Sequence, residues 1–143
     1  MSLKWIFDQD SVDWAELVEL YKIAPLGIKE AGKLKIVFSN SLYKCFVYDG
    51  TRLVGVGRAL ADGADCSYIC DVAVHPELQG AGLGKEIVSK LIELSNGYKK
   101  VLLYAVPGKE GFYKKLGFEK MLTAMAIFED QDVARSVGLT DKT

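Results

Sequence analysis

YICDVAVHPELQGAGLGK, residues 68–85, passes from an apolar strand through His75-Pro76 to three glycines at alternate positions, Gly80, Gly82 and Gly84. A helical apolar stripe of Leu83, Ile87, Leu91 and Leu94 follows at once, flanked by Val88 and Ile92. That spacing gives a helix one wide face to bury against a sheet. Asn96-Gly97 ends the helix, and residues 100–106 (KVLLYAV) read as a buried strand. Strand, helix and strand in this order imply a parallel pair joined by a crossover. Glycines leave the main chain uncovered, and a helix N-terminus carries unpaired N–H groups and partial positive charge. Residues 79–85 therefore form a seat for phosphate groups.

Upstream, residues 3–7 read as a first strand, and Asp10 or Ser11 is placed to cap a helix bearing Trp14, Leu17, Val18 and Tyr21 at helical spacing. Ala24-Pro25-Leu26-Gly27 breaks it, and a second helix is expected over 29–39 with Leu34, Val37 and Phe38 inward. Strands over 42–48, 52–61 and 66–74 are separated by Asp49-Gly50 and Asp62-Gly63, the turn chemistry of an antiparallel meander. Downstream, Pro107-Gly108 opens a short helix that Gly117 stops. Residues 118–121 and 124–128 are expected to pair as a final hairpin, and the polar tail 130–143 to be loosely held. The whole is an α/β (α+β) chain with a mixed, mostly antiparallel sheet of about six to seven strands, helices on both faces and parallel fourth and fifth strands.

With 143 residues, half of them hydrophobic, the chain suits a single domain, residues 1–143, with its core over about 3–129. Its net charge of −1, from 18 basic and 19 acidic residues without a basic block, does not indicate a nucleic-acid partner. No apolar run approaches a membrane span, and the N-terminal residues lack a secretion pattern. Three cysteines, Cys45, Cys66 and Cys70, and a single histidine, His75, give no metal-ligand pattern; free thiols in a reducing cytoplasm are the plain reading.

Three phosphate-binding patterns compete for the glycine run. A Walker loop requires Gly at the position of Gln79 and a hydroxyl at that of Glu86, and has neither. The dinucleotide fingerprint needs G-x-G-x-x-G and an acidic residue about 20 positions on, where Tyr104 stands. The pattern Q/R-x-x-G-x-G/A, which receives the pyrophosphate of coenzyme A, is matched by Gln79, Gly82 and Gly84. A ligand-free glycine turn is the remaining alternative. Residues 71–88 (DVAVHPELQGAGLGKEIV) and, after one more strand, residues 111–120 (GFYKKLGFEK) together resemble the GNAT superfamily of acetyl-CoA-dependent N-acetyltransferases. The resemblance covers roughly residues 3–129.

It implies acetyl-CoA as co-substrate and no metal. Gln79, Gly80, Ala81, Gly82, Leu83, Gly84 and Lys85 would take the pyrophosphate, mainly through backbone donors. Val72, Ala73 and Val74 would serve through the main chain, with the Val74 amide a donor to the thioester oxygen. The parallel strands are expected to part, so that the pantetheine arm lies between them like an added strand. Tyr113 is implied as the general acid beside the cofactor sulfur, with Phe112 next to it; a phenol stays protonated at neutral pH. Lys115 would approach the nucleotide 3′-phosphate. Val106 and Lys109 stand where family members often carry Asn and Ala, which leaves no side-chain amide there for the arm. Asp71 interrupts an apolar strand, and a buried carboxylate is costly unless used or paired. It is the expected base, His75 a rival with a suitable titration range, and a structural hydrogen bond the plain alternative. Residues 23–28 are a candidate substrate wall, and Tyr43, Phe46, Arg58 and Tyr68 candidate pocket residues. The expected acceptor is a small primary amine, aralkylamine-like. A protein N-terminus or lysine is the first alternative and a non-catalytic coenzyme A-binding regulator the second. A homodimer is kept among the expected assemblies.

Overall fold

Short polar turns set the order of the elements. The computed structural model describes residues 2–143. Its first elements are β1 (Leu3–Ile6), α1 (Trp14–Ile23), α2 (Ala31–Ser39), β2 (Tyr43–Asp49) and β3 (Arg52–Ala61), followed by β4 (Cys66–Val74), α3 (Leu83–Leu94) and β5 (Lys100–Leu102). Asp13, not Asp10 or Ser11, caps α1: its carboxylate accepts from the amides of Ala15 and Glu16, nearer the apolar stripe than either candidate. Between β3 and β4 the Asp62 carboxylate accepts three backbone amides, from Ala64, Asp65 and Cys66, at 2.9, 2.7 and 3.1 Å, which closes the turn.

The described residues form one sheet of five strands in the order β1-β2-β3-β4-β5. The first four are antiparallel; β4 and β5 are parallel. The expected six to seven strands are thus corrected to five. Residues 118–128 hold no strand, and Leu122, Met125 and Ile127 stand almost fully exposed. The physical reason is local: Glu119 and Lys120 leave the first arm without an apolar face, and Leu122-Thr123 lacks the glycine or asparagine a two-residue hairpin turn needs. β5 is also shorter than the expected 100–106.

Alternation along β3 separates the two faces of the sheet. Val56 joins Phe46, Leu53 and Ala73 beneath Leu17, Leu20 and Tyr21 of α1 and Leu34 and Phe38 of α2, all buried. Gly55 and Gly57 face the other way, toward α3, where a Cβ on Gly57 would meet Ile87 Cγ2 at 2.7 Å and Leu91 Cδ1 at 3.1 Å. The two glycines let α3 lie close on the strand. Burying a side chain such as Ile87 or Leu91 is worth about 1.5–3 kcal/mol, so this helix, anchored by four buried residues, fixes the turn before it.

By grouping of contacts the chain divides into one unit running to Leu103 and a second, Tyr104–Thr143. The second unit holds α4 (Glu110–Lys114) and α5 (Gln131–Ser136). The tail expected to be loose contains α5, because the Asp130 carboxylate accepts from the Val133 amide and caps it, and Ala134 is buried.

Candidate functional site

The parallel ladder between β4 and β5 is short. Cys66, Ser67 and Tyr68 pair with Lys100, Val101 and Leu102, and there the register stops, while β4 runs on to Val74. From Ile69 onward β4 has no β5 partner among the described residues, because β5 ends at Leu102. On its other edge the pairing with β3 shifts between Val56 and Arg58, so that two residues, Asp71 and Val72, stand opposite Gly57 between the pairs Arg58↔Cys70 and Val56↔Ala73. Asp71 is the only non-glycine residue with positive φ among those described, at 54°. This left-handed bulge costs an L-residue about 1–2 kcal/mol, least for short polar side chains.

Two contacts hold it, and a third anchors its arginine partner. Arg58 Nε donates to Asp71 Oδ2 at 2.9 Å, Arg58 Nη1 donates to Ser41 Oγ at 3.2 Å, and the Tyr21 hydroxyl donates to the Asp71 carbonyl oxygen at 2.7 Å. The guanidinium also lies 6.0 Å from the Phe38 ring centroid. Of the sequence alternatives, the structure shows the paired carboxylate: Asp71 Oδ2 is paired with Arg58, and Oδ1 is bound to nothing among the described residues.

Asp71 and Arg58 form the floor of an open cleft of about 590 Å³ walled by Ile28, Lys29, Glu30, Lys33, Leu34 and Val37. Ile28, at the end of the predicted wall 23–28, lines it; the rest of the wall comes from the following residues and α2. Of the four candidate pocket residues only Arg58 lines the cleft. Phe46 is in the core, which corrects its assignment, and Tyr43 is tied to Tyr98 through a 2.9 Å contact between their hydroxyls. The apolar walls are aliphatic, not aromatic.

Beyond Val74 the chain turns through a 3-10 turn, Pro76–Leu78, which His75 caps: its Nδ1 accepts from the Glu77 amide at 3.2 Å. One ring nitrogen of the rival base is therefore occupied. Gln79 follows, and its side-chain amide donates to the Val74 carbonyl at 3.2 Å, pinning the turn to the end of β4. Gly80 and Gly82 are left-handed, at φ 86° and 87°, with open space where a side chain would stand. Gly82 is the N-cap of α3 and supplies no side chain to it. Glu86 is the first residue to donate back, to Gly82 O at 3.1 Å, and Ala81 donates to Leu78 O at 3.3 Å. The amides of Gly80, Gly82, Leu83, Gly84 and Lys85 have no acceptor among the described residues. Converging donors at an uncapped helix start are what a diphosphate requires, so the residues present fit that group. Lys85 is exposed and forms no ion pair among the described residues. Ala73 is buried under α1, while Val72 Cγ2 lies 3.5 Å from the Cβ position of Gly57 on the α3 face.

In the second unit, Phe112 and Tyr113 meet edge to face at 5.0 Å, and Tyr113 meets Phe118 in the same way at 6.0 Å. Burial raises the Tyr113 phenol above its ordinary value, and its hydroxyl makes no hydrogen bond among the described residues. Lys115 is exposed at the C-terminal end of α4. Cys45, Cys66 and Cys70 are free thiols; burial pushes Cys45 up to about 12 and also raises Cys70. Among the described residues no cluster of acidic, His and Cys side chains is placed to hold a metal, and no helix is long and apolar enough to cross a membrane. The residue the sequence reading missed is Tyr21, which looked like one more member of an apolar stripe; its bond spans 50 positions of sequence and leaves no local signal.

Residues 41–120, more than half of the chain, match the family model described as an acetyltransferase (GNAT) domain. An uncharacterized N-acetyltransferase of Prochlorococcus marinus, ycf52-like, is 33% identical over 121 residues, covering 80% of this chain and 67% of the relative. Shorter matches include the chloroplastic serotonin N-acetyltransferase 2 of rice, 39% identical over 69 residues (47% of this chain, 34% of the relative). Another is the histone acetyltransferase TAP1 of Glycine max, 43% identical over 70 residues (48% and 30%). Apart from the first, the chain spans about half or less of the length of the curated relatives it matches. A probable acetyltransferase of methicillin-resistant Staphylococcus aureus, SA2161, shares the fold with a TM-score of 0.79 at 24% identity, covering 90% of this chain and 99% of that one.

Proposed function

Because the chain belongs to the GNAT acetyltransferase family, we propose that it moves the acetyl group of acetyl-CoA to the primary amine of a small molecule by direct attack in a ternary complex. The observation that carries this reading is the layout of β4 and the turn after it. Within fifteen residues the chain presents a carboxylate in a cleft (Asp71), an edge that β5 does not pair, and unpaired amides ending at Lys85. A donor held along that edge has its diphosphate on the turn and its reacting end beside the cleft.

The amides of Gly80, Gly82, Leu83, Gly84 and Lys85 take the diphosphate, with the Lys85 ammonium adding charge. Val72 and Val74 bond the pantetheine arm through the main chain, and a Val74 amide bond polarises the thioester oxygen. Asp71 Oδ1 receives a proton from the acceptor ammonium, directly or through one water. The freed amine forms a C–N bond to the carbonyl carbon and the C–S bond breaks, while the second proton that the nitrogen sheds on becoming an amide passes to solvent. The Tyr113 phenol gives its proton to the departing thiolate; solvent restores that proton and removes the one on Asp71. Phe112 packs beside Tyr113, and Lys115 faces the 3′-phosphate. Ile28, Leu34 and Val37 receive the apolar body of the amine, and the rice relative supports an aralkylamine. The free thiols fit a reducing compartment, which we read as cytoplasm; the chloroplastic relative offers a plastid instead.

A protein or peptide acceptor is the second reading. It is favoured by the openness of the cleft, where Ile28 is 81% exposed at the rim, and by the soybean relative. Incubating the protein with acetyl-CoA and a panel of arylalkylamines, polyamines and peptides, with free thiol as the readout, decides between them. Thiol release with small amines supports the proposal. Release only with peptides overturns it in favour of the second reading, and binding of acetyl-CoA without release leaves a regulator.

A further inference from the structure

Tyr21 reaches from the helical layer to the bulge in β4. Its side chain is fully buried among Leu17, Phe38 and Phe46, and its hydroxyl spends its proton on the Asp71 carbonyl oxygen at 2.7 Å. The Lys29 ammonium, from the wall of the acceptor cleft, lies 5.6 Å from the centre of the same ring. One side chain thus touches the cleft wall with its ring and the strained residue on the cleft floor with its hydroxyl.

The geometry at Asp71 gives this bond a direction. The two pairs flanking the bulge, Arg58↔Cys70 and Val56↔Ala73, fix the strand before and after it but not the peptide in between. Arg58 restrains the tip of the carboxylate. The turn of the main chain, which sets where the carboxylate starts from, is held at the Asp71 carbonyl. In a trans peptide the carbonyl oxygen and the next N–H point in opposite directions, so holding the oxygen on the α1 side sends the Val72 amide away from it. Burial first, and the Asp71 charge second, raise the Tyr21 phenol well above its ordinary value, and the hydroxyl stays a donor.

We propose that Tyr21 is a positioning residue for acetyl transfer, whose hydroxyl fixes the left-handed turn at Asp71 and so aims the Asp71 carboxylate at the acceptor amine. This rests on the reading of Asp71 as the base. The Tyr21 ring is needed for packing, and its oxygen for rate.

The test compares the whole protein with Tyr21→Phe, Asp71→Asn and the double variant, each checked for its fold by circular dichroism. Phenylalanine keeps the ring, and asparagine tolerates the left-handed backbone. Tyr21→Phe is expected to lower kcat about ten-fold, since small misplacements of a reacting group are costly, with the acetyl-CoA KM within about two-fold of the parent. The double variant is expected to turn over no more slowly than Asp71→Asn, because the hydroxyl acts through that carboxylate. Parent-like kcat in Tyr21→Phe alongside an impaired Asp71→Asn overturns the proposal and leaves the base reading standing. A Tyr21→Phe loss that recurs in full on the Asp71→Asn background, or an unfolded Tyr21→Phe, makes Tyr21 merely structural and overturns it too. Parent turnover in Asp71→Asn sinks the base reading itself and takes this one with it.

Discussion

Tyr113 and Asp71 divide the proton work of the proposed reaction, and their surroundings differ as that division asks. Tyr113 is half-buried between aromatic rings with no hydrogen-bond partner among the described residues, and burial raises its phenol above 10.0. A raised value extends the protonated, donating form upward in pH, so Tyr113 is expected to impose no alkaline limb on kcat below about pH 10. Tyr113→Phe should cut kcat about 100-fold, in the usual range for a lost acid, with acetyl-CoA KM nearly unchanged in steady-state assays. Unaltered turnover would remove Tyr113 from the chemistry. Both residues were legible in the sequence as types: a polar interruption in an apolar strand, and a tyrosine inside a family motif. The left-handed backbone at Asp71 was not, since no run of residues near it announces positive φ. Nor were its partners, because Tyr21 and Arg58 come from elements 50 and 13 positions away.

At the scale of elements, the seat of α3 on β3 depends on two glycines that differ in what they face. A Cβ at Gly57 meets Ile87 Cγ2 at 2.7 Å, a branch methyl on a fully buried side chain that has nowhere to turn. A Cβ at Gly55 meets Ile87 Cδ1 at 2.9 Å, the far end of that side chain, which can swing. Gly57→Ala is therefore expected to destabilise by about 1–3 kcal/mol, the usual cost of overpacking, and Gly55→Ala by less; urea midpoints with equal slopes measure both. The reverse order would mean that α3 shifts as a body. The helix, its apolar face and the glycine turn before it were readable because 3.6-residue periodicity and glycine spacing are local signals. The missing final hairpin was not, because apolar content in 124–128 says that a segment can be a strand but not that an edge is there to pair with it.

For the whole chain, near-neutral charge leaves stability against acid to a few carboxylates held by hydrogen bonds. Asp62 is lowered by the backbone amides of Ala64, Asp65 and Cys66, Glu77 by its bond to Arg52, and Glu110 by backbone amides of its own turn. A carboxylate lowered in the folded state lets the unfolded chain take up protons first, so its stabilisation is complete above the ordinary range and is lost as pH falls through the lowered values. The melting temperature should hold from neutrality to about pH 4.5 and decline below it. Replacing Asp62 with alanine should flatten that decline, as thermal melts from pH 7 to 3 would show. An unchanged acid slope would assign the loss to other groups. The uncapped start of α3 has a practical corollary. Backbone donors that gather around any tetrahedral oxyanion do not read what it is attached to, so if the turn holds the donor's diphosphate as proposed, inorganic phosphate or sulfate in a buffer is expected to compete for the same berth. On the proposed reading, titrations with acetyl-CoA in such buffers are expected to give weaker apparent binding than titrations in a buffer without an oxyanion, and amine buffers such as Tris add a primary amine that competes as acceptor.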